Sequence, residues 1–324
     1  MALSDKEFWD LMETVPKNLN IYKYLMVTRA KLRQYKRIAV SYSGGSDSDT
    51  ILDLIELVKP EDCGEIKYVF YDTGLEWDAT HRHISDMEAK YGVNIDRRKP
   101  RLSIPATCKK YGVPVFSKRM SQNLHSLQYN GFDFNLEGKG VEHLSAGKEW
   151  ILEKGGQYGI TPEMKLFLSE NPPQFPISDM CCDYAKKLPS KDFQKEWQYD
   201  LGVQGVRKME GGPRSFIYKS CFSQTSNGVS EYRPLFFWTD RDKRIYKEWR
   251  NLRYSDCYEK WGFTRTGCVG CPCSVSALEA LRRAEQYEPN KVKAARAVFG
   301  AAHEYREQFN QFKATDKNQL TLEI

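Results

Sequence analysis

The apolar residues near the start of the chain follow a helical period. They recur at spacings of three and four in two groups, which are Phe8, Leu11, Met12 and then Tyr22, Leu25, Met26. This spacing predicts two amphipathic helices before position 35, packed against the main domain.

From position 36 the pattern changes to short apolar runs rich in β-branched residues. Such runs predict strands, and they cover positions 37–42, 66–71, 93–97 and 203–206, with extended chain over 231–238. Helical patterns cover about 50–58, 77–91, 146–153, 162–169, 240–250 and 274–312. Strands that alternate with helices predict an α/β fold with a doubly wound, mainly parallel sheet that binds ligands at the carboxyl ends of its strands.

We expect three regions along the 324 residues. They are N-terminal helices over 1–35, an α/β domain over 36–240 with an insert at about 119–176, and a C-terminal cysteine-containing helical region over 241–324.

The net charge of +6 and the pI near 8.7 permit an acidic ligand such as a nucleotide without demanding nucleic acid. No apolar run approaches the length of a bilayer span, and positions 1–14 lack a secretory pattern. We therefore expect a cytoplasmic protein without a membrane partner, as a monomer or a homodimer.

A glycine-rich loop follows the first predicted strand, which contains Ser41. The loop reads Ser43-Gly44-Gly45-Ser46-Asp47-Ser48 and opens the next helix. Two glycines let the backbone approach a phosphate, and amide groups at a helix N-terminus favour its negative charge. A carboxylate beside phosphates repels them unless it holds Mg²⁺ or caps the helix, so Asp47 belongs to the site in either role. The alternative is an ordinary glycine-rich turn.

The second predicted strand ends in a polar segment, Asp72-Thr73-Gly74-Leu75-Glu76. The carboxyl ends of neighbouring parallel strands meet at one edge of a sheet. We therefore add Asp72, Thr73, Gly74 and Glu76 to the candidate nucleotide-binding residues.

Five of the nine cysteines crowd into two short segments, Cys181-Cys182 and Cys268-x-x-Cys271-x-Cys273. In a reducing compartment such clusters favour a metal or redox site over disulfides. Four thiolates suit zinc or a 4Fe-4S cluster, and a bare Cys-Cys pair is unusual for zinc, so we prefer the cluster. Cys273 could replace one ligand, remain a free thiol or pack in the core.

The remaining cysteines carry weaker signals. Cys63 and Cys108 are expected to be buried as small apolar groups, whereas Cys221 and Cys257 suit either a core or a substrate pocket.

Arginines in a second glycine-rich stretch, over 205–215, could bind an anion. Guanidinium groups match phosphate or sulfate oxygens, which makes Arg207 and Arg214 candidates. Arg265 precedes Cys268 and could bridge a cluster and a ligand. Lys186 and Lys187 could face the cluster or a phosphate. Each of these residues could instead be an ordinary surface cation.

Several of these motifs together resemble a known family. The 43–48 loop is similar to the pyrophosphate loop of the adenine nucleotide alpha hydrolases, without the Gly-Lys-Ser/Thr ending of a Walker A loop. The segment DTGLEW, the segment CCDYAKKLP, the arginine region and the later CxxC resemble the sulfonucleotide (PAPS/APS) reductase branch, over about residues 35 to 275. The resemblance implies a 4Fe-4S cluster on Cys181, Cys182, Cys268 and Cys271.

The resemblance is incomplete, because sulfonucleotide reductases use a thiolate in a Glu-Cys-Gly-Leu-His segment that this sequence lacks. The pattern is more similar to PAPS-reductase-like proteins of phages and mobile elements, and to the ATP-pyrophosphatase component of DNA phosphorothioation systems. That likeness implies Mg²⁺-ATP as ligand and adenylation of an acceptor, with release of pyrophosphate and displacement of AMP by a sulfur donor. The acceptor could be a small molecule, DNA or RNA.

Two alternatives remain open. One is an atypical PAPS or APS reductase that uses Cys221, Cys257 or Cys273 as its nucleophile. The other is a nucleotide-binding regulatory or defence module with a structural cluster.

Overall fold

The protein divides into two compact units. The structure is a computed structural model that describes residues 2–129, 160–210, 218–225 and 228–322, without the side chains from 315 onward. The sheet unit comprises Met1–Asp72, Glu76–Lys99 and Pro189–Gly267, and the cysteine unit comprises Thr73–Leu75, Pro100–Leu188 and Cys268–Ile324. The helix predicted at about 146–153 lies outside the described residues.

Helices occur along the whole of the described chain. In order they are α1 (Asp5–Glu13), α2 (Leu19–Gln34), α3 (Ser46–Val58), α4 (Asp78–Tyr91), α5 (Ile104–Tyr111), α6 (Lys118–Tyr129), α7 (Pro162–Glu170), α8 (Met180–Cys182), a π-helical turn (Asp183–Lys187), α9 (Leu188–Trp197), a 3₁₀ turn (Lys208–Glu210), α10 (Asp240–Arg250), α11 (Asp256–Glu259), α12 (Ala277–Ala284) and α13 (Pro289–Leu322). In the described part of the chain, none of them combines the length and apolar character needed to cross a bilayer.

The sheet unit contains a six-stranded sheet, in the spatial order β3-β2-β1-β4-β6-β5. The strands are β1 (Arg37–Tyr42), β2 (Glu65–Tyr71), β3 (Ile95–Arg98), β4 (Leu201–Val203), β5 (Phe222–Gln224) and β6 (Ser230–Tyr232). All neighbouring pairs are parallel except the edge pair of β5 with β6. The predicted α/β fold with a mainly parallel sheet is therefore confirmed.

The sequence explains why the central strand is buried and where the first helix begins. In β1 the residues Ile38, Ala39 and Val40 are consecutive and buried, as expected for a strand covered on both faces. Helix α1 begins at a capping box, in which Ser4 Oγ accepts from the amide of Glu7 and the Glu7 carboxylate accepts from the amide of Ser4. Helices α1 and α2 confirm the two predicted N-terminal helices.

Three predicted strand boundaries were wrong. β3 begins at Ile95 instead of at position 93. A strand was expected over 203–206, but β4 covers Leu201–Val203. The extended segment expected over 231–238 is a strand only to Tyr232. After it, the amides of Phe236 and Trp238 donate to carbonyls three residues earlier, so the chain turns.

The cysteine unit has its own apolar core. The largest members are aromatic, and Phe167 packs against Tyr305 and Phe309 with ring centroids 5.1 Å apart in both pairs. Helix α7 confirms the helix predicted over 162–169. A backbone bridge between Val113 and Ile177 ties the segment after α5 to the segment before α8.

Candidate functional site

The glycine-rich loop lies where the strand order of the sheet reverses. β1 ends at Tyr42, Ser43–Gly45 form the connection, and α3 begins at Ser46. β2 lies on one side of β1 and β4 on the other, which is the position at which open α/β sheets bind ligands. Ser41 lies in β1, paired with Val69 of β2.

The two glycines are needed for different reasons. Gly44 has a φ of +66°, and a Cβ atom there would lie 2.8 Å from Thr80 Cγ2. A side chain at this position is therefore strained and would also clash. Gly45 has an ordinary φ, but its Cβ would lie 3.2 Å from Ser43 Oγ and 3.3 Å from the Tyr258 hydroxyl.

The Ser48 hydroxyl closes the loop from inside. It accepts hydrogen bonds from the amides of Gly45 at 3.0 Å and Ser43 at 3.3 Å, and it donates to the Gly45 carbonyl at 2.7 Å. The first amides of a helix have no intrahelical acceptors, so the first turn of α3 supplies donors for an anion. The loop is thus an ordered phosphate-binding candidate.

Asp47 is held between two cations. Its Oδ1 lies 2.6 Å from Lys243 Nζ and 3.1 Å from Arg207 Nε. Burial would raise the pKa of Asp47, but the two cations outweigh it and hold that pKa below its usual value. Lys243 also donates to Ser46 Oγ at 2.6 Å, and Arg207 reaches Asp240 at 2.7 Å.

The structure therefore brings predicted Arg207 to predicted Asp47. It also adds Lys243, which sequence reasoning missed. Its only sequence signal is a basic residue in the first turn of a predicted helix. Arg265 is exposed in the sheet unit, and Arg214 lies outside the described residues.

A buried dyad supports the first turn of α3. Asp49 Oδ2 accepts from His83 Nε2 at 2.8 Å, and its Oδ1 accepts from the Tyr42 hydroxyl at 2.6 Å. Burial would lower the pKa of His83, yet the Asp49 carboxylate raises it above its ordinary value. Neither residue was predicted for the site.

Three potential metal ligands meet near the carboxyl end of β2. Ligand atoms of Asp72, Glu76 and His81 lie within 4.8 Å of one another. Glu76 is buried, and the other two are partly exposed. Carboxylate and imidazole ligands of this kind could hold a divalent cation.

The predicted nucleotide residues Thr73 and Gly74 belong to the cysteine unit. Thr73 Oγ1 lies 3.5 Å from Cys268 Sγ, and the Leu75 carbonyl accepts from the amide of Val269 at 2.6 Å. The segment after β2 thus borders the second cysteine segment.

The cysteines of this unit come from three segments. Cys181 and Cys182 are the last two residues of α8 and precede the π-helical turn, a feature that often marks functional sites. Cys268 and Cys271 lie in a turn, where the amide of Cys271 donates to the Cys268 carbonyl at 3.1 Å. Cys108, on α5, is buried as predicted, but its thiol also hydrogen bonds with Cys181.

The cysteine thiols interact with one another through hydrogen bonds and with nearby charged groups through electrostatics. Cys273 hydrogen bonds with Cys271 and lowers the pKa of that thiol to about 6, with smaller contributions from Lys186 and Arg306. The same hydrogen bond with Cys271, together with burial, raises the pKa of Cys273, and Cys182 and Cys181 add smaller electrostatic contributions. Lys186 thus acts electrostatically on Cys271, whereas Lys187 pairs with Asp183 at 2.6 Å.

This set of donors fits an iron-sulfur cluster. The four predicted ligands lie in one unit, and two of their neighbours, Cys108 and Cys273, are also thiols. Iron in such clusters is held by thiolates, and the cations beside Cys271 favour the deprotonated form that ligation needs. Of the other cysteines, Cys257 is buried, while Cys63 and Cys221 are partly buried and pack against the apolar core of the sheet unit. Cys63 is therefore an apolar packing group, as expected, but is less buried than expected.

A mainly parallel sheet with a glycine-rich loop at its switch point is typical of the class of nucleotide-binding α/β domains. The model of the phosphoadenosine phosphosulfate reductase domain family matches residues 37–128 and 158–274. The chain belongs to this family, which confirms the predicted resemblance at the family level.

Three relatives illustrate the range of similarity. An uncharacterized protein of Methanocaldococcus jannaschii is 25% identical over 281 residues, 85% of this chain and 42% of that protein. An adenosine 5'-phosphosulfate reductase of Geobacillus sp. (strain WCH70) is 22% identical over 249 residues, 76% of this chain and 77% of that protein. The crystal structure of a PAPS reductase from Candida auris, in a phosphate complex, superposes with a TM-score of 0.46 at 16% identity, covering 83% of this chain and 97% of that one. The chain thus spans about two fifths of the length of the Methanocaldococcus relative.

Proposed function

We propose that the chain is an iron-sulfur enzyme of this family that binds ATP and activates an acceptor by adenylation for sulfur transfer. The observation that carries the proposal is the ordered Ser43–Ser48 loop, with Lys243 and Arg207 beside it. Amides at a helix N-terminus and two cations are what a polyphosphate chain requires.

The proposed reaction has two steps. An oxygen of the acceptor attacks the α-phosphorus of ATP, the bond from that phosphorus to the bridging oxygen breaks, and pyrophosphate leaves. A sulfur donor at the oxidation level of hydrosulfide then attacks the activated carbon, and AMP leaves with the former acceptor oxygen.

In the first step the loop would bind the phosphates, and Lys243 and Arg207 would neutralise charge that develops at the α-phosphate. Asp47 keeps both cations in place, and it could also contribute an oxygen to Mg²⁺. The Asp72–Glu76–His81 group is a second place for that ion. Arg214 and Arg265 remain proposed contacts of the acceptor or its leaving group.

For the cysteine group we propose Cys181, Cys182, Cys268 and Cys271 as cluster ligands. A bound 4Fe-4S cluster would supply electron transfer or a site for sulfide. Lys186 and the hydrogen bond from Cys273 would stabilise the thiolate of Cys271.

An atypical sulfonucleotide reductase is the second candidate, because Cys273 lies beside a proposed ligand and is an internal thiol. The hydrogen bond between the two thiols favours the thiolate on Cys271 and the proton on Cys273. Since a nucleophile at sulfur must be a thiolate, the contact weakens this candidate.

One experiment separates the candidates. Anaerobically purified protein receives either ATP, Mg²⁺ and pools of DNA, RNA or small-molecule acceptors, or PAPS with reduced thioredoxin. We expect acceptor-dependent pyrophosphate release and no sulfite above background. Sulfite from wild type that disappears in Cys273→Ser would establish the reductase instead. Nucleotide binding with neither product would favour a regulatory module.

A further inference from the structure

The segment that carries Cys271 and Cys273 is held by the long helix α13. The Arg306 guanidinium donates through one nitrogen to the Ser274 carbonyl at 3.0 Å, and through another to the carbonyls of Pro272 and Phe116. Its plane also lies over the Phe116 ring, 5.7 Å from the centroid. One side chain therefore fixes the backbone on both sides of Cys273.

A second residue, one turn earlier on α13, extends this contact. His303 is buried, and its Nε2 donates to the Gly270 carbonyl at 2.7 Å. Burial lowers the pKa of His303, which keeps the ring neutral with its proton on the donating nitrogen. Gly270 has a φ of +63°, and a Cβ there would lie 2.9 Å from the Cβ of Ala295 on the same helix.

The anchored carbonyls alternate with the thiols. Gly270, Pro272 and Ser274 are held, and Cys271 and Cys273 lie between them. A loop with three fixed carbonyls has a restricted backbone, so α13 limits the positions that these two sulfur atoms can reach.

Arg306 also brings charge to the thiols. Its guanidinium bonds to the carbonyls of Pro272 and Ser274, which places a positive charge beside the Cys271–Cys273 segment. A cluster with four thiolates is anionic, and buried negative charge needs a nearby cation.

We propose that Arg306 is a positioning residue of the cysteine group, which orders the Cys271–Cys273 segment and compensates the negative charge of the cluster. The part that concerns the cluster rests on the function proposed above. The ordering of the Cys271–Cys273 segment is independent of that proposed function.

The test compares Arg306→Met, Arg306→Lys and Arg296→Met in the full chain, reconstituted anaerobically with iron and sulfide. Arg296 is a matched control, because it lies on the same helix and makes an exposed ion pair with Glu285. Circular dichroism first establishes which variants fold. The readouts are the rate of iron loss to a chelator and the reduction potential of the cluster.

We expect Arg306→Met to lose iron about 10- to 100-fold faster than wild type, as for other residues that orient metal ligands. Its cluster should also be harder to reduce, because reduction adds an electron beside a lost positive charge. Arg306→Lys should keep a potential near that of wild type but lose iron faster, because an ammonium group cannot span the same carbonyls. Arg296→Met should match wild type in both.

An Arg306→Met cluster with the potential and iron retention of wild type would overturn the proposal. If wild type binds no cluster, the cluster function fails, and alkylation of the apoprotein then tests the ordering. Cys273 should react several-fold faster in a folded Arg306 variant, with Cys63 unchanged. Equal rates at Cys273 would contradict the ordering role.

Discussion

The Ser43–Ser48 loop and the cysteine group differ in how their parts are assembled. In the loop, Ser43, Gly45 and Ser48 bond to one another within six consecutive residues. In the cysteine group, thiols on α5, on α8 and in the 268–273 segment meet only when the unit folds. The loop geometry is therefore a local property, whereas the thiol geometry depends on the tertiary structure of its unit. We expect mutations to damage the two sites in correspondingly different ways.

The largest effect should follow loss of a predicted cluster ligand. Wild-type protein prepared without oxygen should be brown and contain about four irons per chain. Cys182→Ser or Cys271→Ser should lose most of the iron and lower thermal stability, because the ligands join distant segments. Iron and sulfide analysis with calorimetry measures both. Cys63→Ser, in the sheet unit, should keep the iron content of wild type. One zinc without sulfide in wild type would contradict the assignment.

The next effect should be confined to the loop. Gly45→Val places branched carbons where even a Cβ meets Ser43 and Tyr258. We expect ATP affinity to fall at least about 100-fold, or about 2.8 kcal/mol, with the iron content unchanged. Titration calorimetry measures the affinity. Gly267→Val is a suitable control, because a Cβ there meets nothing within 4 Å. Wild-type affinity in Gly45→Val would mean that the loop is not the phosphate cradle.

A smaller effect on binding, but a large one on turnover, is expected for Asp47→Ala. The change releases Lys243 and Arg207 from their shared carboxylate. Acceptor-dependent pyrophosphate release should fall about 100-fold or more, since misplaced catalytic groups cost that much. The fold should remain, as circular dichroism can verify. Asp240→Asn is the control, because its exposed carboxylate pairs with a different nitrogen of Arg207 from the one that pairs with Asp47. Equal losses in both variants would argue against a specific role for Asp47.

The smallest effect concerns the His83–Asp49 dyad and pH. The folded-state pKa of His83 is raised, so protonated His83 contributes stability that is fully present below the unfolded pKa near 6.5. This contribution is lost as the pH rises through the folded pKa. The free energy of unfolding, measured with denaturant at several pH values, should fall over this pH range in wild type and fall less in His83→Gln. His125→Gln, in the cysteine unit, should show the same pH dependence of unfolding as wild type.

Local sequence predicted the parts of the fold that depend on local pattern. β1 and α10 have the predicted bounds, because an apolar run and an amphipathic stretch end at clear turn or capping residues. The Thr239 cap of α10 illustrates this. α5 and α9 were missed, since each is short and the stripe that it buries consists of only three residues, among them Pro189 in α9 and Thr107 in α5.

The candidate sites divide in the same way. The residues of the Ser43–Ser48 loop could be predicted directly from the sequence, because they are consecutive. Lys243, His83 and Arg306 could not, because each reaches its partner across a long sequence separation. Ion pairs and side-chain hydrogen bonds to carbonyls leave no period in the sequence, so only the folded chain reveals them.

The internal hydrogen bonds of Ser48 bear on the entropy of ligand binding. A flexible glycine pair would lose conformational freedom when a phosphate arrives, and that loss would oppose association. In this loop the hydroxyl has already restricted Ser43 and Gly45. Most of the ordering is therefore complete when the protein folds, and a phosphate bound by this loop would meet a rigid backbone with little left to arrange.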